Sequence, residues 1–184
     1  MEGDGMPDTA KRRIFAMLDV DGDGVITRAE YLGRVDRAAA ACGRDAQHPL
    51  VAAALAAHEE VFRQMDGNAD GAVTYEEYRD WAGHDAFEES CRPALGSLFD
   101  LADHDGDGHL TRGEFTRLRA ATGNSPEGAA AAFSALDTHH NGTVQRAVYL
   151  AAIHDFLTTG RSPMADAYPN HPDTPQPAPL PAAP

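Results

Sequence analysis

The 184-residue chain carries 15 basic against 29 acidic residues, a formal charge of −14, with 42% hydrophobic residues, two cysteines and one tryptophan. That length suffices for one domain whose core needs no covalent staples, and the acidity argues against nucleic acid and anionic membrane as partners, since both require basic patches. No apolar run approaches the roughly 20 residues that span a bilayer, the acidic start holds no apolar leader core, and Cys42 and Cys91 lack a disulfide or zinc pattern, so the expectation is a soluble, cytoplasmic monomer with two reduced thiols.

Residues 1–7 are expected to be a disordered lead-in. The first helix begins at Asp8 or Thr9, either of which can cap it, and runs to Leu18. It leads into residues 19–30, Asp-Val-Asp-Gly-Asp-Gly-Val-Ile-Thr-Arg-Ala-Glu, with acids at the first, third, fifth and twelfth positions. This stretch resembles the EF-hand calcium loop position for position. A hard divalent cation takes six to eight oxygens at about 2.3–2.6 Å, which alternate side chains on a tight loop can supply. Asp19, Asp21 and Asp23 offer one oxygen each, Gly24 permits the turn that presents the Val25 carbonyl, Thr27 acts through a water, and Glu30 closes the site with both carboxylate oxygens. Bidentate closure favours Ca2+ and leaves Mg2+ as a resting competitor.

A second helix is predicted over 28–41, then a break from Gly43 to Pro49 and a third helix over 50–65. The second loop, 66–77, offers Asp66, Asn68, Asp70, the Ala72 carbonyl, Thr74 and Glu77 around Gly71. A helix over 75–82 bends near Gly83, a short helix covers 87–91, and another over 93–102 enters the third loop. That loop, 103–114, offers Asp103, Asp105, Asp107, the His109 carbonyl, Thr111 and Glu114 around Gly108. After a helix over 112–121, Ser125-Pro126-Glu127 supplies a cap, a first-turn proline and a first-turn acid to a helix ending at Leu136. The fourth loop, 137–148, keeps Asp137 and Gly142 but places His139 at position three and Val148 at position twelve. Without the closing carboxylate, and with a softer nitrogen at position three, it is expected to hold no Ca2+ and to persist as scaffold. The last helix covers 145–157 and stops before Gly160. From Ser162 onward lie eight of the twelve prolines, and residues 161–184 are expected to be a disordered tail with polyproline tendency.

The flanks repeat with the loops. Four residues before each loop stands a phenylalanine (Phe15, Phe62, Phe99, Phe133), and after each stands an aromatic (Tyr31, Tyr78, Phe115, Tyr149), eight of the thirteen aromatics at fixed offsets that place them on inward helix faces. Ile26 should pair with Val73, and Leu110 with Val144, in short two-stranded links. The fold class is therefore all-α: four helix-loop-helix units in two pairs over residues 8–160.

The loop starts at Asp19, Asp66, Asp103 and Asp137 are unevenly spaced, with a long first gap, and the fourth copy is degenerate. In these respects the chain resembles the sarcoplasmic calcium-binding protein group, including its calerythrin-like bacterial members, over about residues 8–158. The resemblance implies that the two pairs pack as one compact globule and that the role is Ca2+ buffering. A sensor would expose a methionine-rich groove to a target, yet only Met17 and Met65 fall within the predicted helices, which favours a buffer. A sensor with an unknown protein target is the alternative.

Eleven of the 29 acids are expected ligands of loops one to three, and three bound Ca2+ would reduce the formal charge to −8. Histidines suggest no catalysis: His104 and His109 lie within loop three, His139 and His140 within loop four, and His58 is expected on a polar helix face. No nucleophile elbow, phosphate loop or dinucleotide fingerprint is present, so no enzyme is expected. Loops one and three, with four acids each, should bind Ca2+ more tightly than loop two, where Asn68 replaces one.

Overall fold

A computed structural model describes residues 8–164 of the chain; the expected lead-in over 1–7 and most of the expected tail lie outside the described residues. In chain order the elements are α1 (Asp8–Leu18), β1 (Val25–Thr27), α2 (Arg28–Ala41), α3 (Pro49–Met65), β2 (Ala72–Thr74), α4 (Tyr75–Trp81), α5 (His84–Ala86), a π-helical turn (Phe87–Cys91), α6 (Arg92–Ala102), β3 (His109–Thr111), α7 (Arg112–Ala121), α8 (Pro126–Leu136), β4 (Thr143–Gln145) and α9 (Arg146–Thr159).

Local chemistry sets most of these ends. Thr27, Thr74 and Thr111 each accept the backbone N–H three residues on, while the Glu at that position accepts the threonine N–H, so α2, α4 and α7 all start with a reciprocal capping box. The Ser125 hydroxyl accepts the Gly128 N–H ahead of Pro126 in the first turn of α8. Helix α3 starts one residue earlier than the sequence predicts, because His48 caps it by accepting the Leu50 N–H on Nδ1 and Pro49 fits the first turn. Helix α9 ends at Gly160, whose left-handed φ of 69° a side chain would strain.

The expected helices over 87–91 and 93–102 are one continuous run that begins at His84. In an α-helix Pro93 would lack an N–H and press on the carbonyl four residues back. The extra residue of the π turn relieves this, and the Arg92 N–H bonds to the Phe87 carbonyl, five residues back.

The two strand pairs form in the expected register, Ile26 opposite Val73 and Leu110 opposite Val144, and all four side chains are buried. All eight flanking aromatics are buried and meet reciprocally. Phe15 lies 5.8 Å from Tyr78 and Tyr31 6.0 Å from Phe62 between ring centroids, while in the second half Phe99 lies 5.6 Å from Tyr149 and Phe115 5.5 Å from Phe133. Each entering helix thus touches the leaving helix of its partner unit, and such ring pairs add about 0.5–1.5 kcal/mol each beyond area burial.

The halves share one core, with α3 packed on α6 and α2 on both α6 and α7. Arg44, in the link between α2 and α3, donates to the Leu101 and Asp103 carbonyls at 3.0 and 2.9 Å. That places a first-half cation at the carbonyl end of α6, where the helix dipole favours it.

Four side chains depart from the sequence reading or refine it. His58 is not on a polar face: it is 0% exposed, its Nδ1 bonds to the Ala54 carbonyl at 2.8 Å, and its ring lies 5.7 Å from that of Tyr31. Met164, expected in the tail, is 0% exposed and belongs to the core, so the packed chain extends past residue 160. Both cysteines are free and partly buried, and burial pushes the Cys91 thiol up to about 12.

Candidate metal centres

Each loop is a turn organised by its first aspartate. In loop one, Asp19 accepts the N–H groups of Gly22, Asp23 and Gly24 at 2.8, 3.2 and 3.0 Å, Asp21 accepts from Asp23 at 3.1 Å, and Asp23 accepts from Val25 at 3.0 Å. Loop two repeats this with Asp66 accepting from Asp70 and Gly71, Asn68 Oδ1 from Asp70, and Asp70 from Ala72. In loop three Asp103 accepts from Gly106 and Gly108, and Asp107 from His109. These bonds fix the side chains so that one carboxylate oxygen each of Asp19, Asp21 and Asp23 lie within 4.8 Å of one another, as do those of Asp103, Asp105 and Asp107. Such clusters of hard oxygens suit a divalent cation, and loop two presents two acids and the Asn68 amide oxygen in the same arrangement. Val25, Ala72 and His109, the expected carbonyl donors, open strands β1, β2 and β3.

The closing glutamates serve two purposes. Glu30 Oε2 accepts the Thr27 N–H and hydroxyl at 2.9 and 2.6 Å, and Oε1 accepts from Val20 and Asp21. Glu77 takes the Thr74 N–H and hydroxyl at 2.9 and 2.8 Å, and Glu114 those of Thr111 at 2.9 and 2.7 Å. Partial burial pushes Glu30 and Glu114 upward, but the threonine and loop N–H bonds outweigh it and hold both below the ordinary carboxylate range. For Glu77 the Thr74 backbone and hydroxyl bonds lead, with the same result. All three are therefore ionised at neutral pH, as ligation requires.

Loop four keeps the turn and lacks this chemistry. Asp137 accepts from Asn141 and Gly142 at 3.0 and 2.9 Å, the same pair of positions that Asp66 engages in loop two. Gln145 begins α9 without a side-chain cap, and Val148, at the closing position, stands 39% exposed with no carboxylate to offer. His139 and His140 are exposed, as is His104.

Two features of the loops were not legible beforehand. The fourth position takes a left-handed backbone in every copy, φ 74° at Gly22, 60° at Ala69, 72° at Gly106 and 50° at His140. Loops one and three meet this with glycine, whereas loops two and four carry a side chain at a cost of about 1–2 kcal/mol. The tenth position reaches across to the entering helix of the paired unit. Arg28 pairs with Glu59 of α3, Tyr75 donates to Asp8 of α1, Arg112 lies 4.8 Å over the Phe133 ring of α8, and Arg146 pairs with Asp100 of α6 at 3.0 Å. The empty-looking fourth loop is thus tied by Arg146 to the helix that enters loop three.

Comparison with known proteins agrees with this geometry. Family models match as an EF-hand domain pair over residues 8–83 and as an EF hand over residues 95–118. Calerythrin of Saccharopolyspora erythraea is 28% identical, with 81% of this chain and 90% of that protein covered. The probable calcium-binding protein CML17 of Oryza sativa subsp. japonica is 32% identical over 61% of this chain and 68% of its own length. A solved Streptomyces coelicolor calcium-binding protein, described as a structural basis for calcium-mediated regulation, is 30% identical with a TM-score of 0.70, covering 81% of this chain and 98% of that one. Fourfold loops, reciprocal aromatics, two strand links and these likenesses lead to one conclusion: the chain belongs to the EF-hand calcium-binding proteins, and among them it is calerythrin-like.

Proposed function

We propose that this protein is a cytoplasmic, monomeric Ca2+ buffer that binds three ions through loops one, two and three. The ligands are Asp19, Asp21, Asp23, Val25, Thr27 and Glu30, then Asp66, Asn68, Asp70, Ala72, Thr74 and Glu77, then Asp103, Asp105, Asp107, His109, Thr111 and Glu114, with Mg2+ as a resting competitor. The observation that carries the buffer reading is the shared core. The inner faces of each pair, which a sensor would open toward a target, are already filled by the other half through α2, α3, α6 and α7. Of the described methionines, Met65 and Met164 are buried and Met17 is packed against the core, leaving no exposed thioether groove of the kind that accommodates varied targets. No helix among the described residues is long and apolar enough to cross a membrane.

The test is binding of a hydrophobic fluorescent dye to the metal-free, Mg2+-loaded and Ca2+-loaded protein. A buffer leaves the Ca2+ signal at or below that of the Mg2+ form; a Ca2+-dependent rise would overturn the reading. The Streptomyces protein's association with calcium-mediated regulation favours a second reading, in which this chain exposes an apolar surface to a protein target, and the same experiment decides between them.

A further inference from the structure

The helices on either side of loop three are held at their ends from the first half of the molecule. Leu101 and Asp103 end α6, which enters the loop, and Ala121 ends α7, which leaves it. The last carbonyls of a helix have no donor within it, and here arginines of α2 and its closing turn supply one. Arg44 forks between the Leu101 and Asp103 carbonyls, Nε donating to the first at 3.0 Å and Nη2 to the second at 2.9 Å, and Arg37 Nε donates to the Ala121 carbonyl at 3.3 Å. Asp103 is the first ligand position of loop three, so Arg44 grips the start of that loop directly. Arg44 in turn is fixed to α2: Gly43 takes a left-handed φ of 65°, and the N–H groups of Gly43 and Arg44 bond back to the Ala40 and Ala39 carbonyls at 3.1 and 2.8 Å. At the other end of the same helix stands Glu30, its third residue and the closing position of loop one. One helix therefore starts at loop one and ends on both helices of loop three, whereas the strand pairs join loop one to loop two and loop three to loop four.

We infer that Arg44 and Arg37 are positioning residues through which a Ca2+ ion in loop one tightens the binding of another in loop three. The inference rests on the reading of both loops as Ca2+ sites. Glu30 drawn onto its ion sets the direction of α2, and α2 sets the angle between α6 and α7 through the carbonyls at their ends. A filled loop one thus holds loop three in the geometry that binds, and linkage requires loop three to favour loop one by the same factor. The coupling crosses between the two halves and is separate from the choice between buffer and sensor.

The experiment is a chelator-buffered Ca2+ titration of the full chain, read by the amide resonances of Gly24 and Gly108. Each of these N–H groups donates to the first aspartate of its own loop, at 3.0 and 2.9 Å, and so reports metal there. Glu30→Gln is expected to move the Gly108 midpoint to about tenfold higher free Ca2+, and Glu114→Gln to move the Gly24 midpoint by the same factor. In a background carrying Arg37→Met and Arg44→Met, adding Glu30→Gln should leave the Gly108 midpoint in place. The Arg44 charge repels a nearby cation, so its loss shifts loop three by itself, and comparing Glu30→Gln in the two backgrounds cancels that shift. A Gly108 midpoint that ignores Glu30→Gln in the otherwise unaltered protein would overturn the inference whether or not the arginine variant folds, as would a coupling that survives loss of both arginines. Failure of Gly24 or Gly108 to respond to Ca2+ in the unaltered protein would overturn the reading of that loop and the inference with it, whereas two loops that fill independently would overturn the inference alone.

Discussion

In loop three, Asp103, Asp105 and Asp107 cluster and Thr111 and Glu114 cap α7 reciprocally; in loop four, Gln145 and Val148 stand at the positions of Thr111 and Glu114 and α9 begins with no side-chain cap. The backbones nonetheless agree. Both first aspartates accept the N–H of the sixth-position glycine, both of those glycines are left-handed at 79° and 81°, and the two loops join through β3 and β4. The difference teaches that the turn and the metal site are separable. Positions one and six build the turn, whereas positions three and twelve complete the ligand set. A loop that loses the second pair still supplies Val144 to the core opposite Leu110 and Arg146 to Asp100.

Converting one loop toward the other gives the largest expected effect. Glu114→Gln should weaken loop three for Ca2+ by about 100-fold or more, since ligand charge tunes EF-hand affinity over several decades, and calorimetric titration should then count two tight ions. The reverse conversion, His139→Asp with Gln145→Thr and Val148→Glu, should raise the count to four, because the turn is already in place. A repaired fourth loop that stays metal-free would break the separation of turn from ligand set.

The histidines divide as the loops do, His139 and His140 exposed and His58 buried. Burial first, and the Arg34 charge second, push His58 down to about 3. The unfolded chain therefore takes up a proton that the folded one refuses, so stability from this group is full above the ordinary value of about 6.5 and falls as the pH drops toward 3. His58 should cost about 2 kcal/mol between pH 7.5 and about pH 5. Chemical denaturation of His58→Phe should show a shallower pH dependence by that amount; an identical slope would place the imidazole in water.

The smallest effect sharpens the pairing of loops. Ala69→Gly and His140→Gly each relieve a left-handed residue and should raise thermal stability, by about 1 kcal/mol apiece. Ala69→Gly should also tighten loop two relative to loops one and three, whereas Gly22→Ala should do the opposite to loop one. Differential scanning calorimetry and Ca2+ titration of these variants check both signs.

Much of this was legible in the chain. The twelve-residue repeats, their flanking aromatics and the Ser125-Pro126 start are local signals, and the helix ends and strand registers follow from them. What was not legible depended on contacts between distant segments. His58 sits among charged neighbours in sequence, and only the packing of α2 on α3 brings Tyr31 over it. Met164 lies just beyond a helix-ending glycine and a proline, so nothing nearby announces its burial. The π turn follows from Pro93 once 84–102 is seen as one helix, but the sequence offers a break there equally well. At position four, Ala69 and His140 concealed that the left-handed turn of Gly22 and Gly106 recurs in every loop.

The central claim, that three loops hold Ca2+ and the fourth is scaffold, is tested most directly by native mass spectrometry of the full chain at increasing Ca2+, alongside Glu30→Gln, Glu77→Gln and Glu114→Gln. The unaltered protein should saturate at three ions, and each variant should lose one tight ion, with loop two the last to fill. Saturation at four ions, or a glutamate variant that keeps all three as tightly as the parent, would contradict the assignment.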